Sequence, residues 1–156
     1  MTERERGRAW VLTGSLENFR VSVERGFDVI GLKERRRKQA TELEPGDEVI
    51  FYVTGVQAFG AIARIRSPMF EDRTAIWPGK PGKPDDYPWR VEAEPIVVLE
   101  EPDLIAAEGL ADRLEHVRKW PPEHWQLAFQ GQLRPVGRKD AALLRHEIEA
   151  AAKVKT

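Results

Sequence analysis

The sequence predicts an α+β fold with a mostly antiparallel sheet, curled towards a β-barrel, and flanking helices. Three observations predict this class. Short apolar segments rich in strand-forming residues follow one another through much of the chain. Clear helical spacing of apolar residues occurs only near the two ends. The 156 residues fit one domain, which we expect to span 1–156, with 1–8 as a loose N-terminal extension.

The first strand and the first helix are predicted next to each other. Residues 9–15 (AWVLTGS) form a short apolar run that ends in turn residues. Ser15 can then cap a helix, because Leu16, Phe19 and Val23 recur at helical spacing.

The middle of the chain carries the strongest strand signals. A turn is predicted at EPGD (44–47), and an apolar strand follows it over 47–55. Residues 58–68 form the next strand and a hairpin with it. Residues 88–100 predict a long strand that bends or bulges at Pro95, because proline cannot donate to a ladder.

The remaining segments are less regular. Residues 27–43 predict irregular chain with a short helical turn, and 118–136 are irregular and aromatic. Residues 69–88 hold four prolines and two glycines, which predicts a long loop. That loop carries Trp77, and embedded aromatics favour a functional loop. Residues 138–154 predict an amphipathic helix.

The residues available for chemistry are few. The chain has no cysteine, which excludes disulfides, thiolate nucleophiles and cysteine-based zinc sites. Its three histidines are scattered without metal-ligand spacing, and there is no phosphate-binding loop or nucleophile elbow. We therefore predict no catalytic residue, no metal site and no cofactor. No segment resembles a signal peptide or a membrane span, so the expected location is the cytoplasm.

Charge is unevenly distributed along the chain. The net charge is only −1, yet residues 1–40 sum to +4 and residues 81–120 to −5. The run GLKERRRKQA (31–40) contains five basic residues and one acidic residue. Such a run is usually solvated surface. A polarised surface nevertheless attracts phosphate locally without a basic overall charge.

Several motifs together resemble the EVE domain family of the PUA-like superfamily, whose relatives include the YTH domains. They are, in order, WVLTGSLENF (10–19), VIGLKERRRKQATELEPGDEVIFYV (29–53), FGAIARIRSPMFEDRTAIW (59–77), YPWRVEAEPI (87–96) and HWQLAFQGQLRPV (124–136). Each motif alone is weak, but their order and spacing cover nearly the whole chain.

The resemblance implies a PUA-like β-barrel with flanking helices and a pocket that accepts a flipped, modified nucleobase of DNA or RNA. A modified base must leave its stack to be inspected, and an aromatic cage with a few polar groups can then read it. The resemblance also implies partners in modification-dependent restriction or in RNA modification, and we expect a monomer.

The family's base pocket maps onto particular residues of this chain. Thr13, Ser15 and Asn18 occupy its polar positions after the first strand. The alternative is that Ser15 and Asn18 merely cap the helix, and for Ser15 the two interpretations are about equal. Further pocket positions correspond to Ile30, Gly31, Leu32, Tyr52, Trp77 and Trp89.

One position departs from the family pattern. Ile30 stands where the family has the first aromatic of the cage, while Trp77 matches the second. Gly31 would let a base approach the backbone closely. For Tyr52 and Trp89, which lie on predicted strands, packing in the core is the stronger alternative.

Phosphate contacts are expected from basic residues beside this pocket. They are Lys33, Arg35, Arg36, Arg37 and Lys38 of the basic run, together with Arg118 and Lys119. Arginine and lysine at such places give affinity and salt dependence but not base choice. Solvated surface is the competing interpretation for Arg118 and Lys119.

Three functions follow as hypotheses. The first is a nucleic-acid-binding module that recognises a modified base without catalysis. The second is a hydrolase acting on RNA, as in the related ASCH-type domains, which rests on superfamily analogy alone. The third is a small-ligand or protein-interaction module with a vestigial pocket, which the Ile30 departure supports.

Overall fold

The computed structural model describes residues 7–79 and 82–153. Within them lie three α-helices: α1 (Leu16–Glu24), α2 (Arg37–Ala40) and α3 (Arg138–Lys153). The strands are β1 (Ala9–Gly14), β2 (Val29–Leu32), β3 (Glu48–Val53), β4 (Ala58–Ile65), β5 (Phe70–Glu71), β6 (Trp89–Val98), β7 (Ile105–Ala106) and β8 (Leu133–Val136).

The strands form one curled sheet in the order β2-β6-β4-β3-β1-β8, with β5 beside β6 and β7 beside β4. Every pairing is antiparallel except that of β1 with β3, which is parallel. The predicted mostly antiparallel, curled sheet with flanking helices is therefore confirmed, as a half-barrel whose end strands are β2 and β8.

The hairpin and the bulge both appear where the sequence predicts them. β3 and β4 pair antiparallel across a short turn. β6 pairs Pro95 with Ala63 and Val97 with Ile62, so Ile96 is the extra residue of a bulge. The bulge places Pro95, which has no N–H, at a break in the ladder.

The predicted helices also form, with their expected caps and buried faces. Ser15 has extended backbone angles, and its hydroxyl accepts a hydrogen bond from the Asn18 N–H at 3.1 Å. Helix α3 spans nearly the predicted range and buries Leu144 and Ile148. These two side chains join Tyr52 in an apolar cluster outside the half-barrel.

Two strands occur in segments where the sequence predicts irregular chain. β2 lies within 27–43 and pairs with β6, and β8 lies within 118–136 and pairs with β1. Both are only four residues long, which leaves too few residues for a periodic signal. Their existence depends on long-range partners.

The N-terminal extension is only partly within the described residues. Residues 1–6 lie outside them. Arg8 is not loose: its N–H donates to Asp47 Oδ1 at 2.9 Å, and its guanidinium donates to the Glu42 carbonyl at 2.9 Å. Among the helices of the described chain, none is long and apolar enough to cross a membrane.

Candidate nucleobase pocket

A cavity of about 440 Å³ opens at the carboxyl ends of the parallel strands β1 and β3. Helix α1 lies on one side of it, and the end strand β2 and the segment before β8 border it. Its lining residues are Leu12, Thr13, Gly14, Ser15, Glu17, Asn18, Phe19, Ser22, Ile30, Gly31, Lys33, Arg35, Phe51, Tyr52, Thr54, Trp77, Pro78, Gly79, Tyr87, Phe129, Gln130, Gly131 and Gln132. The cavity therefore lies where the half-barrel fails to close.

Trp77 forms one wall and is held in place from several sides. Its indole Nε1 donates to the Ser22 hydroxyl at 3.0 Å, so the polar edge of the ring is satisfied inside the protein. The ring meets Tyr87 edge-on at 5.9 Å and packs with Val29 in a small apolar cluster. Trp77 is thus a fixed wall rather than a free loop tip.

Gly31 is the residue that lets Trp77 approach β2. A β-carbon at position 31 would lie 2.4 Å from Cζ3 of Trp77 and 2.9 Å from the carbonyl oxygen of Tyr87. Real β-carbons do not come that close to other atoms. The absence of a side chain at Gly31 therefore makes room for the tryptophan ring, and the expected close approach of a base to this backbone stays a prediction.

The backbone of Gly31 also faces the cavity side of β2. The Asp28 carbonyl accepts from the Ala93 N–H, so alternate residues of β2 bond to β6 and the others point away. Lys33 N–H points away in this manner and donates to Gln132 Oε1 at 2.8 Å. Gly31 has the same orientation, so its N–H and carbonyl are directed to the gap between β2 and β8.

Asn18 is a polar residue of the cavity wall. Its Nδ2 donates to the Tyr87 hydroxyl at 3.1 Å. Its Oδ1 is buried and accepts no hydrogen bond from any described residue. A buried acceptor without a donor carries a free-energy cost that a ligand N–H would remove.

The end of the cavity near β3 is aromatic. Tyr52 and Phe129 stack at 4.6 Å between ring centroids, and Phe51 lies beside them in the lining. Burial raises the pKa of the Tyr52 hydroxyl to about 12, so it stays protonated across the physiological range. This end offers flat apolar surface together with a phenol that does not ionise.

The side chains of the basic run point in different directions. Arg35 lines the cavity. Arg36 turns towards Gly131, with its Nη2 3.8 Å from the position that a β-carbon would take there. Arg37 lies over the ring of Trp89 at 5.2 Å, and Lys38 is exposed. Only the first part of the run therefore borders the cavity mouth.

A buried guanidinium holds the loop that carries Trp77. Arg90 has a side chain only 1% exposed, and it lies 5.3 Å from the centre of the Trp77 ring. It donates to the carbonyls of Tyr87 at 3.0 Å, Thr74 at 2.5 Å and Asp86 at 3.1 Å. Burial lowers the pKa of Arg90, but an arginine still keeps its charge at neutral pH.

Most of the residues expected in the base pocket do meet in this cavity. They are Thr13, Ser15, Asn18, Ile30, Gly31, Tyr52 and Trp77. Leu32 and Trp89 do not line it: Leu32 is fully buried in the core, and Trp89 donates to the Glu34 carbonyl at 2.7 Å. The roles of the first group stay predictions.

Fewer of the residues expected to contact phosphate lie at the cavity. Lys33 and Arg35 line the cavity, and Arg36 lies at its edge. Arg118 and Lys119 lie in a 3₁₀ turn (Val117–Lys119) and do not line it.

The sequence interpretation missed part of the wall. Ser22 and Tyr87 hold the tryptophan and the asparagine, and Phe51, Phe129 and Gln132 complete the lining. Tyr87 was visible as the second aromatic of the long loop. The others gave no signal, because they resemble ordinary core or helix residues.

The charged side chains among the residues lining this cavity are Glu17, Lys33 and Arg35. Within residues 7–79 and 82–153, no group of three or more histidine, aspartate or glutamate side chains is placed to hold a metal ion. The arrangement suits binding of a flat, partly polar ligand.

The comparisons with known proteins agree with this architecture. The family model described as "EVE domain" matches residues 8–146. No curated protein sequence gives a significant match. Rpa0253 from Rhodopseudomonas palustris has a similar fold, with a TM-score of 0.62 at 12% identity, covering 92% of this chain and 94% of that one.

Two YTH domains are similar in structure as well. That of Zygosaccharomyces rouxii MRB1, in complex with N6-methyladenosine RNA, has a TM-score of 0.65 at 18% identity and covers 94% of this chain and 90% of its own. The Pho92 YTH domain in complex with m6A has a TM-score of 0.66 at 15% identity, covering 94% and 89%. At such identities these matches establish the fold. Together with the family model, which spans most of the sequence, they show that the chain belongs to the EVE domain family.

Proposed function

We propose that this protein is a nucleic-acid-binding module that recognises one flipped, modified base in the cavity and performs no catalysis. The observation that carries the proposal is the wall of the cavity itself. A fixed tryptophan stands beside an asparagine whose carboxamide oxygen has no donor among the described residues. Flat apolar surface next to an unmet polar group is what a nucleobase complements.

The size of the cavity fits such a ligand. Its volume of about 440 Å³ lies within the roughly 300–1,000 Å³ of small-molecule pockets. Because Ile30 lines it where the family has an aromatic, the stacking face beside Gly31 comes from Trp77. Stacking on one aromatic side chain contributes about 1–3 kcal/mol per base, and an added methyl group about 0.8 kcal/mol if it is buried.

Polar groups around the same space would read the edge of the base. The Asn18 carboxamide offers an acceptor, and the backbone of Gly31 offers one donor and one acceptor along the free edge of β2. An unmodified or wrong base would leave one of these groups unpaired, and buried unpaired groups are costly. Discrimination would thus come from hydrogen bonding, with stacking supplying affinity.

A nucleic acid, modified DNA or RNA, is the proposed partner. Lys33, Arg35 and Arg36 border the cavity and would meet the backbone of a flipped nucleotide. The two YTH neighbours with methylated adenosine in their complexes support this partner class, although their low identity leaves the base open. We further propose that the chain acts as a single monomeric domain.

The hydrolase alternative finds less support in the site. Glu17 is the carboxylate among the described lining residues and is exposed, and these residues include neither histidine nor aspartate. General acid–base catalysis needs such a group within hydrogen-bond reach of the reacting atom. We therefore expect oligonucleotides to be recovered intact after incubation with the protein; release of a cleaved or altered base would contradict this part of the proposal.

The proposal is tested with matched nine-nucleotide DNA and RNA single strands that differ only in one central base. The base is unmodified or methylated cytosine or adenine, and affinity is measured at two salt concentrations. We expect one modified strand to bind at least tenfold more tightly than its unmodified match. Trp77→Ala and Asn18→Ala should each remove that preference, because they delete the stacking face and the edge-reading group.

The control is Val56→Ala, which shortens an exposed side chain outside the lining of the cavity. We expect it to retain most of the preference. Equal affinity for every modified and unmodified strand would refute base reading. Binding of free nucleobases or nucleosides without strand binding would favour the small-ligand alternative instead.

A further inference from the structure

Two arginine side chains from distant parts of the chain converge beside Gly131. Measured from the position that a β-carbon would take on Gly131, Nη2 of Arg36 and Nη2 of Arg134 are each 3.8 Å away. The two nitrogen atoms are therefore no more than twice that distance apart. Gly131 lines the cavity, so this pair lies at the cavity edge.

Neither guanidinium has a carboxylate partner among the described residues. Arg64, Arg66 and Arg145, by contrast, each form ion pairs with glutamates. Nε of Arg36 is moreover buried without a hydrogen-bond acceptor in the part of the chain described. Two like charges at this separation repel each other unless an anion lies between them.

Other contacts around Gly131 hold this edge of the cavity in place. Nε of Arg134 donates to the Gln130 carbonyl at 2.6 Å, and its guanidinium lies over the Trp120 ring at 5.7 Å. The Thr13 hydroxyl donates to the Gly131 carbonyl at 2.6 Å. Gly131 itself has a φ of 84°, which favours glycine and keeps the space beside it free of a side chain.

We propose that Arg36 and Arg134 form a clamp for a single phosphodiester group, next to the nucleotide whose base enters the cavity. The inference rests on the proposed function for the identity of the anion. Guanidinium groups suit this task because each presents paired donors that match the oxygens of a phosphate. The clamp fixes the strand relative to the cavity and contributes no base preference.

The test uses two double variants that remove the same charge. Arg36→Gln/Arg134→Gln breaks the clamp, whereas Arg66→Gln/Arg113→Gln removes two arginines that form exposed ion pairs with Glu94 and Glu147. Each double variant loses two positive charges, taking the formal net charge from −1 to −3. A general electrostatic effect would therefore be equal in both, and only a local site distinguishes them.

The first readout is the salt dependence of binding to a nine-residue oligodeoxythymidylate. Loss of one phosphate contact should flatten the slope of log affinity against log salt by about 0.7 in the clamp variant. The control should keep the slope of the unchanged protein. Arg36→Gln alone repeats the test with little risk to folding, because no hydrogen bond within the described residues is lost at its Nε.

The second readout replaces phosphates one at a time by neutral methylphosphonates in the tightest-binding strand of the modified-base panel. One position should weaken binding to the unchanged protein by about tenfold and have no further effect on the clamp variant. Equal slopes for both double variants, or no phosphate coupled to the arginines, would overturn the clamp.

The two proposals fail in different ways. The clamp variant should preserve the ratio of affinities for modified and unmodified strands, while Trp77→Ala should abolish that ratio. If no modified base is preferred but the slope still falls in the clamp variant, the base-reading function fails and the clamp stands.

Discussion

The two sides of the cavity are held by opposite means. On the β2 side, the polar edge of Trp77 bonds to Ser22, and the buried Arg90 gives hydrogen bonds to three loop carbonyls. On the Gly131 side, Arg36 and Arg134 approach each other without a carboxylate among the described residues. The tryptophan wall is held by contacts within the protein, whereas the two guanidinium groups lack a carboxylate partner among the described residues.

The two sides therefore differ in their proposed roles. The β2 side gives the cavity a fixed shape, and the Gly131 side attracts a phosphate. A base reader gains selectivity when its stacking wall is fixed before the ligand arrives, because little ordering remains to oppose binding. A backbone contact gains affinity when its charges are left uncompensated until a phosphate arrives. Changes on the β2 side should therefore alter stability and base choice together, and changes on the Gly131 side should alter salt-dependent affinity.

The largest effect is expected from Arg90→Met, which removes the guanidinium beneath the loop. Three buried or half-buried carbonyls would lose their donor, so we expect the free energy of unfolding to fall by about 3–5 kcal/mol. Denaturant unfolding followed by circular dichroism measures this. Hydrogen exchange should also become faster at backbone amides of residues 72–79 and 82–87, because the loop loses its anchor.

Arg66→Met is the matched control, since Arg66 is exposed and pairs with Glu94 on the surface. Its cost should stay under about 1 kcal/mol. If the two variants unfold at the same denaturant concentration, Arg90 does not hold the loop, and the contrast between the two sides is lost.

The next effect is expected from Gly31→Ala. The added methyl group would collide with the ring of Trp77 and with the Tyr87 carbonyl, so the wall must shift. Overpacking of this kind costs about 1–3 kcal/mol in stability. We expect the preference for the modified strand to fall as well, measured by the same oligonucleotide panel.

Gly55→Ala provides the comparison, because a β-carbon there would meet nothing within 4 Å. It should leave both stability and binding close to those of the unchanged protein. A Gly31→Ala variant with full stability and full preference would show that the wall adapts freely.

The elements that the sequence predicted well are those with local signals. β1 ends at a turn, Ser15 caps α1, and Pro95 marks the bulge, and each follows from a few neighbouring residues. β2 and β8 were missed because strand identity there depends on β6 and β1, far away in sequence. Short strands without alternation carry no periodic signal of their own.

The site was predictable only as far as the family motifs reach. Trp77 and Asn18 fall in motifs and do line the cavity, whereas Trp89 lies in a motif yet packs under Arg37. Arg134 was not singled out, since a lone arginine on an unpredicted strand resembles solvated surface. Its importance appears only when folding brings it beside Arg36.

The smallest effect is expected from His116, which supports the Gly131 side. Its Nε2 lies 2.7 Å from the Ala128 carbonyl, and its ring lies 5.6 Å from that of Trp120. Burial lowers the pKa of His116 below its ordinary 6.5, and the charges of Arg134 and Lys119 lower it further; the Ala128 hydrogen bond and the charge of Asp140 act the other way.

The sign of the pH dependence follows from that shift. Below pH 6.5 the unfolded chain binds the proton more readily than the folded protein, so the free energy of unfolding should decrease as pH falls from 6.5 towards the lower folded pKa. The slope cannot exceed about 1.4 kcal/mol per pH unit for one group.

Denaturant unfolding at several pH values between 7.5 and 5.5 should show this loss of stability. His116→Gln should reduce the loss while keeping a donor for the Ala128 carbonyl. If His116→Gln keeps the slope of the unchanged protein, His116 does not couple the charged side to pH.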